Sequence, residues 1–481
     1  MQEGDSIIMN NSVKPLVIFG VGSGAMKVIR TMKNLGVEIQ ALTDNNPAKW
    51  GTIYEEIPVI CPQELKNRDC KIMIASTYQE EIEAQLREYG LFDRLVLKEQ
   101  FIKEYIESHL DEFTYMEKKE TISNTKTVII GLEEGMWLGG VENLAFMWAR
   151  ELKKRGMTVW IFSKETQDLP PEDLQENVKY FDLDYERYWD SIKDLTQALY
   201  ENLPCYVIDN WENQILESVS IVKRVCPESL RCISVIHNDK YLFYRRTAFM
   251  EESIDAIAAV SEDVAAHLIN DFQIEKTKVH YKESPIEFEE NLIKTYEENK
   301  TKPLRIGYAA RITKTQKRAD LIIPLVESLN RLGVHYHMSI AGIGDYYEQL
   351  QKELEEKGLT RKVTLHGWID RSQMKGFWRE KDVFVNLSDY EGSPLSLLEA
   401  MSYNVVPVVT KVSGAKEFVT KKNGFICERG DVEAIASSIK ELDNQREHLP
   451  IMGEESRRIV REKCNKEDYI NYILSLFEEI C

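Results

Sequence analysis

Short apolar runs alternate with longer amphipathic stretches along nearly the whole chain. The runs LVIFG, TVIIGL and LRIGYA have the length and apolar character of buried strands, and each precedes a stretch with apolar positions at helical spacing. Further strands are predicted before Asp44 and at KIMIAS and RLVLKE, then at TVWIFS, CYVIDN, CISVIH and AIAAVS, and finally at HMSIAG, VTLHGW, VFVNLS and VVPVVT. Strands that alternate with helices in this way favour parallel sheets covered by helices on both faces. The pattern therefore predicts an α/β protein made of three successive segments.

Two hydrophilic stretches, DEFTYMEKKETISNTKT and EFEENLIKTYEENKTKP, interrupt the alternation and are typical of linkers. They predict a small Rossmann-like domain over residues 1–115, followed by two larger Rossmann-like domains over residues 126–298 and 299–465. Residues 466–481 have apolar positions at helical spacing. We expect them to form a helix that packs back on the domain over 126–298.

Composition narrows the possible functions. A chain of 481 residues is too long for one hydrophobic core, which agrees with several domains. The net charge of −19 argues against sequence-independent nucleic-acid binding, which needs a basic surface. The sequence has no CxxC pair, no apolar run near the roughly 20 residues that span a bilayer, and no signal-peptide pattern. We therefore expect a cytoplasmic protein, with peripheral association at the inner face of the cell membrane left open.

The stretch EGSPLSLLE places two carboxylates, Glu391 and Glu399, around the start of an apolar helix. Ser393 suits the N-cap and Pro394 suits the first helical position, so the predicted helix runs from about 394 to 402. Amide groups at a helix start lie at the positive end of the helix dipole and bind anions. Taken alone, the two glutamates are better explained as a solvated loop acid and a helix-surface acid.

The stretch RITKTQKRAD changes this balance, because it supplies Arg311 and Lys317 just after a strand. Cations there could hold a diphosphate and neutralise the charge that develops when it leaves. A ligand made of a ribose, a diphosphate and a sugar matches two carboxylates around an anion site. Open α/β domains bind ligands at the carboxyl ends of their strands, so a cleft between the two larger domains is the expected site.

These stretches, together with LGGVENLA and VIHND, resemble family 4 glycosyltransferases, which are retaining enzymes. The resemblance covers about 126–480, is strongest after 303, and implies the GT-B architecture of two Rossmann-like domains facing a cleft. It implies that Glu391 holds hydroxyls of the transferred sugar and that Glu399 holds the ribose. The catalytic residues implied are Glu391, Arg311, Lys317 and His237. The further donor-binding residues implied are Gly139, Gly140, Gly392, Ser393, Pro394 and Leu395.

The activity implied by this resemblance is transfer of a hexose, with retained configuration, from a nucleoside-diphosphate sugar to a glycan or lipid-linked glycan. Such enzymes need no metal and no cofactor for transfer, and surface polysaccharide or glycoconjugate assembly is the setting implied. A non-catalytic nucleotide-sugar-binding scaffold or regulatory subunit is the alternative. The sequence departs from the family at Arg318, where a glycine is usual.

The first segment carries its own pattern, FGVGSGA, which fits G-x-G-x-x-A with Gly20, Gly22 and Ala25. Asp44 follows at the end of the second predicted strand, 24 positions after Gly20. Such a pattern is typical of nucleotide binding, with phosphate at the helix start near Ser23 and ribose at the acidic residue. A docking or regulatory domain without a nucleotide is equally open, and so is an oxidoreductase or epimerase, although no catalytic set accompanies the pattern.

Overall fold

The computed structural model describes most of the chain and confirms the α/β class. Residues 1–13, which carry no signal-peptide pattern, and residue 481 at the end of the predicted last helix lie outside the described residues. The described ranges are 14–76, 78–117, 121–122, 125–136, 139–210, 213–296 and 299–480.

The first sheet has the strand order β3-β4-β2-β1-β5, in which β3 pairs antiparallel with β4 and the other pairs are parallel. The sequence predicted β1, β2 and β5 but missed the β3–β4 hairpin, which is short. A strand expected at RLVLKE is reduced to a single bridge between Leu95 and Ile72. The elements are β1 (Leu16–Phe19), α1 (Ser23–Asn34), β2 (Ile39–Thr43), β3 (Ile53–Tyr54), β4 (Ile57–Ile60), β5 (Lys71–Ile74), α2 (Gln79–Glu88) and α3 (Lys98–Ser108).

The second sheet has the order β12-β11-β10-β9-β6-β7-β8, and β6 pairs parallel with β7 and β9. Its five predicted strands are confirmed. The short edge strands β8 and β12 were missed because partly exposed side chains replace the apolar run. The elements are β6 (Thr127–Leu132), α4 (Gly140–Lys154), β7 (Thr158–Lys164), β8 (Val178–Phe181), α5 (Tyr188–Glu201), β9 (Cys205–Asp209), α6 (Asn213–Val225), β10 (Leu230–Ile236), α7 (Tyr241–Phe249), β11 (Ala256–Ala259), α8 (Glu262–Asn270) and β12 (Val279–Tyr281).

The third sheet is parallel, with the order β15-β14-β13-β16-β17-β18. Because its strands run parallel, the loops that follow β13 and β16 leave the sheet at the same edge. The elements are β13 (Leu304–Ala309), α9 (Ile322–Arg331), β14 (Tyr336–Ala341), α10 (Tyr347–Glu356), β15 (Val363–Leu365), α11 (Arg371–Arg379), β16 (Val383–Asn386), α12 (Leu395–Ser402), β17 (Val406–Thr410), β18 (Phe425–Cys427), α13 (Val432–Asn444), α14 (Leu449–Lys463) and α15 (Lys466–Glu479).

The first sheet shares a hydrophobic core with α5 rather than standing alone. Ile29 of α1 and Ile102 of α3 belong to the same buried cluster as Tyr188 and Trp189. Asn34 at the end of α1 accepts a hydrogen bond from the Trp189 amide at 2.9 Å. The small N-terminal domain is therefore packed firmly against a helix of the second sheet.

The chain divides into two compact units, one containing the described residues up to Ile233 together with Phe249–Asp255. The other contains Ser234–Ala248 and Ala256–Ile480. In this second unit the Glu479 carboxylate of α15 lies 3.7 Å from His280 of β12. The domain boundaries drawn from the sequence stay predictions. Among the described residues, no helix is long and apolar enough to cross a membrane.

The stretch predicted to link the two larger domains is held along the third sheet's helices. The Lys294 ammonium donates to the carbonyl oxygens of Trp378 and Arg379, both at 3.0 Å, and to that of Lys381. Tyr296 donates its hydroxyl to the carbonyl of Asn404 at 2.5 Å. We call residues 287–296 of this stretch the strap. Its polar side chains donate hydrogen bonds to carbonyl groups at helix ends, which explains its linker-like composition.

Candidate active site

Three of the predicted residues lie in one cluster where the loops after β13 and β16 meet. We call residues 310–318 the clamp loop and residues 388–391 the acidic loop. The Lys317 ammonium donates to Glu391 Oε1 at 2.6 Å, and side-chain exposures of 16% and 6% make this a largely buried ion pair. Arg311 is exposed and donates to Gln316 Oε1 at 3.0 Å. The structure therefore joins Lys317 to Glu391 directly and links Arg311 to the acidic loop through Gln316, which donates to the Tyr390 carbonyl at 3.3 Å.

The Glu391 carboxylate is oriented by its own loop. Ser388 Oγ donates to Glu391 Oε1 at 2.6 Å, and the Ser388 carbonyl accepts from Thr410 Oγ1 at 2.7 Å. The amide of Ser388 donates to the buried Asn386 side chain at 2.9 Å. Within the described residues, Glu391 Oε2 accepts no hydrogen bond. One carboxylate oxygen is thus fixed while the other remains able to accept from a ligand hydroxyl.

The helix start after Glu391 differs from the prediction by one residue. Helix α12 begins at Leu395 with Pro394 as its N-cap, so the prediction of Ser393 as N-cap was wrong. Pro394 has a ψ of 85°, which is not helical, and the Ser393 hydroxyl is buried without a hydrogen-bond partner among the described residues. Proline also lacks an amide hydrogen. The amides that remain for an anion are those of Gly392, Ser393, Leu395 and Ser396, which donate to no described residue.

Gly392 allows the loop after β10 to approach the acidic loop closely. A Cβ atom on Gly392 would lie 2.2 Å from the His237 carbonyl oxygen and 2.9 Å from Asn238 Cα. Gly414, with φ of +79°, lies against the other side, where an added Cβ would be 2.9 Å from the Gly392 carbonyl. Position 392 therefore requires glycine, because a side chain there would clash with the loop after β10.

Gly392→Ala is expected to lower the rate of the sugar transfer that the sequence resemblance implies by about 100-fold, because the acidic loop must shift by roughly an ångström. The transfer rate measures this loss, and thermal unfolding measures the effect of the change on stability. Gly376→Ala on α11 is the matched control, since an added Cβ there meets nothing within 4 Å, and it should leave both quantities nearly unchanged. Normal transfer by Gly392→Ala would contradict this packing.

His237 lies at the end of β10, beside Gly392, as the contact of its carbonyl shows. Burial lowers the pKa of His237 to about 4, so its imidazole is neutral near pH 7. A neutral imidazole can donate or accept a hydrogen bond but is a weak general base at this pKa. The low pKa argues against proton abstraction by His237, and its predicted place at the transferred sugar stays a prediction.

The depressed pKa of His237 also predicts a pH dependence of stability. Between the usual pKa near 6.5 and about 4, the unfolded chain binds the proton and the folded chain does not, so the free energy of unfolding falls as pH falls. The loss approaches about 3 kcal/mol at full effect. Urea unfolding at pH 7 and pH 4.5 should show a smaller drop for His237→Gln than for the parent chain. Equal drops in the free energy of unfolding of the two chains would contradict this effect of His237.

Several further residues build this cluster and are not among those predicted from the sequence. Gln316 Nε2 donates to Asn238 Oδ1 and to the Tyr390 carbonyl, both at 3.3 Å, and the Lys240 ammonium lies 4.5 Å from the centre of the Tyr390 ring. Asp239 accepts hydrogen bonds from Ser413 Oγ and from the Tyr244 hydroxyl. The polar run HNDK directly after a buried strand was the one signal that pointed to these residues.

Within the described residues, no hydrogen bond or ion pair joins Glu399 to Lys317 or Glu391. Glu399 is half-buried on α12, and burial raises its pKa, with Arg371 opposing the rise and Glu287 adding to it. Its charged neighbours are therefore Arg371 of α11 and Glu287 of the strap. The role predicted for Glu399 at the nucleotide ribose stays a prediction.

Gly139 and Gly140 lie at the start of α4, in the first compact unit. The Gly139 amide donates to Glu142 Oε2 at 3.1 Å, and its carbonyl accepts from Asn143 Nδ2 at 2.7 Å. The Gly139 amide is thus engaged within its own helix start. Contact of these two glycines with a donor phosphate stays a prediction.

The glycine loop of the first domain has the expected strand–turn–helix form. Gly20 has φ of +129°, and a Cβ there would lie 2.4 Å from the Ala75 carbonyl oxygen. Gly22 is the N-cap of α1, which begins at Ser23, whose side chain is outside the described part. Nucleotide binding at this loop stays a prediction.

Asp44, the residue predicted to bind ribose, is occupied by neighbouring groups. Its carboxylate accepts from Val21 N at 3.0 Å, Asn46 N at 2.9 Å and Lys49 Nζ at 2.8 Å. Burial raises the pKa of Asp44, but these hydrogen bonds outweigh it and keep the pKa below its usual value. Among the described residues, Oδ1 accepts only from Asn46, so this oxygen keeps acceptor capacity, and contact of Asp44 with a ribose stays a prediction.

Two family models match the sequence. Residues 289–459 match the model of glycosyl transferases group 1, and residues 12–97 match the C2185-like N-terminal model. The poly(ribitol-phosphate) alpha-N-acetylglucosaminyltransferase of Staphylococcus aureus (strain COL) is 26% identical over 233 residues, which are 47% of this chain and 44% of that protein. The poly(glycerol-phosphate) alpha-glucosyltransferase of Bacillus subtilis (strain 168) is 30% identical over 149 residues, 30% of this chain and 21% of that protein. The chain thus spans less than half the length of these relatives.

Solved structures agree on the fold. A glycosyltransferase from Rickettsia africae matches with a TM-score of 0.61 at 18% identity, covering 74% of this chain and 99% of that one. A mutant of S. aureus TarM in complex with Fondaparinux, alpha-GlcNAc-glycerol and UDP matches with a TM-score of 0.52 at 14% identity, covering 96% of this chain and 99% of that one. The chain has the GT-B glycosyltransferase fold, preceded by an additional N-terminal domain with its own sheet.

Proposed function

We propose that this chain is a retaining glycosyltransferase that moves a hexose from a nucleoside-diphosphate sugar to a glycan or lipid-linked glycan. The observation that carries the proposal is the cluster of Arg311, Lys317 and Glu391 at an edge of a parallel sheet. Beside it, the amides around Gly392 have no acceptor among the described residues. Cations, free amides and an oriented carboxylate in one place suit a sugar joined to a diphosphate.

In this proposal each group has a separate task. The amides of Gly392 and Ser393 and the Arg311 guanidinium hold the diphosphate. Glu391 Oε2 accepts from a hydroxyl of the transferred sugar, while Lys317 shares its charge between Glu391 and the leaving phosphate. Fixed donors aimed at a leaving group stabilise the charge that develops on it. Transfer by these groups calls for neither a metal nor a cofactor, and a nucleotide at Gly20 and Asp44 would be separate from it.

The relatives suggest the class of acceptor. Two of them are named for poly(ribitol phosphate) and poly(glycerol phosphate), polymers of phosphate-linked polyols, and for N-acetylglucosamine or glucose as the sugar. Two others are named for colanic acid and amylovoran biosynthesis. We therefore place the proposed activity in the assembly of surface polymers, in the cytoplasm or peripherally at the inner face of the membrane.

The test starts with thermal shifts of the full chain in UDP-, GDP-, ADP- and dTDP-sugars, each with and without EDTA. The donor that stabilises the chain is then incubated with poly(ribitol phosphate) or poly(glycerol phosphate), and NMR of the product reports the anomeric configuration. Transfer with retention in EDTA supports the proposal. Binding without transfer or donor hydrolysis would favour the scaffold alternative, and a shift that requires metal would overturn metal independence.

A further inference from the structure

Arg318 has a backbone conformation that an arginine rarely adopts. Its φ of +50° and ψ of +45° lie in the left-handed region, where glycine is favoured and a side chain adds strain. Five described non-glycine residues have positive φ, and of these only Arg318 lies in the clamp loop. Strain kept at a ligand-binding loop suggests that the side chain is needed there.

The Arg318 guanidinium ties the two loops of the candidate site together. Its Nε and Nη2 donate to Asp320 at 3.1 Å, and its Nη1 donates to the two Asp389 oxygens at 3.1 and 3.2 Å. The Asp389 amide also donates to the Gln316 carbonyl at 3.0 Å. Asp389 stands two positions before Glu391, so the guanidinium fixes the acidic loop relative to the clamp loop.

We propose that Arg318 is a positioning residue for sugar transfer, which holds the acidic loop through Asp389 so that Glu391 and Lys317 face the donor. The inference rests on the proposed function. Arg318 itself needs no contact with the donor. The proposed contacts are made by Lys317, its neighbour in sequence, and by Glu391, two positions after its ion-pair partner Asp389. On this view, the left-handed backbone at Arg318 is tolerated because the side chain is needed for the contact with Asp389.

Arg318→Gly separates this role from a merely structural one, because it relieves the backbone strain while removing the connection. The expected result is a melting temperature within about 2 °C of the parent chain, as partly exposed ion pairs contribute little, with kcat about 10-fold lower and KM nearly unchanged. Asp389→Asn should lower kcat similarly, and the double variant should be no worse than Arg318→Gly. Asp320→Asn is the matched control, since it leaves the Asp389 contact intact, and its kcat should stay within about two-fold.

Hydrogen exchange of peptides covering residues 386–394 gives a second readout that does not depend on activity. Exchange should rise in Arg318→Gly and Asp389→Asn but not in Asp320→Asn. Unchanged exchange and kcat in Arg318→Gly, or a kcat that falls only in proportion to melting temperature, would overturn the inference. If the parent chain transfers no sugar, the proposed function fails, and the exchange result still decides whether Arg318 holds the loop.

Discussion

Glu391→Gln is expected to lower kcat for transfer by about 100- to 1,000-fold, the scale seen when one preorganised group at a reacting centre is lost. The carboxylate lies with Oε1 held by Lys317 and Ser388 and with Oε2 open to a ligand. Replacing it with an amide keeps the shape but removes the negative charge that would face a sugar becoming positive in the transition state. The loss should therefore appear in kcat more than in KM for the donor.

The same change also leaves the largely buried Lys317 ammonium without its ion-pair partner, which lowers the free energy of unfolding by several kcal/mol. Stability loss and catalytic loss must be separated. The double variant Glu391→Gln with Lys317→Met removes both charges and should recover much of the melting temperature without recovering transfer. A folded Glu391→Gln chain with kcat close to the parent value would exclude Glu391 from the reaction.

The sequence predicts the apolar strands of the fold well, including the edge strand β5, and predicts its short, partly exposed strands poorly. Strands β6 and β13 are apolar runs because both faces of a parallel sheet are covered, and a run of that kind is visible in the sequence alone. The hairpin of β3 and β4 and the edge strands β8, β12 and β18 are short, and most of them carry exposed positions. Their residues become strands through pairing with a neighbour, which no local pattern records.

The residues of the candidate site also fall into those that the sequence predicts and those that it does not. Spacing and turn residues located Glu391, Arg311 and Lys317, because a strand end followed by a helix start is a local feature. Ser393 was wrongly given the N-cap because the preference for serine there is statistical, and Pro394 with its non-helical ψ takes that place. The contact of Gln316 with Asn238 joins residues 78 positions apart and depends on tertiary packing alone.

Arg311→Ala is expected to lower kcat by at least about 100-fold with little change in melting temperature, because Arg311 is exposed and its one described hydrogen bond is to Gln316 at 3.0 Å. The guanidinium can offer two parallel donors to a diphosphate as negative charge builds on it, so Arg311→Lys should recover only part of the rate. Binding of the product nucleoside diphosphate, measured by calorimetry, should weaken as well.

Lys314→Ala is the matched control for this prediction. Lys314 is an exposed cation of the same clamp loop, and its ammonium lies 4.4 Å from the centre of the Tyr346 ring rather than beside Glu391. If the general positive charge of the loop assists the reaction, both variants should lose activity. Raising the salt concentration should then lower the transfer rate of the parent chain by a similar factor. If a directed contact with the diphosphate is what matters, Arg311→Ala alone is inactive and Lys314→Ala keeps the parent rate. We expect the second result, because Arg311 is linked to the acidic loop through Gln316, which donates to the Tyr390 carbonyl, whereas the described contact of Lys314 is with Tyr346.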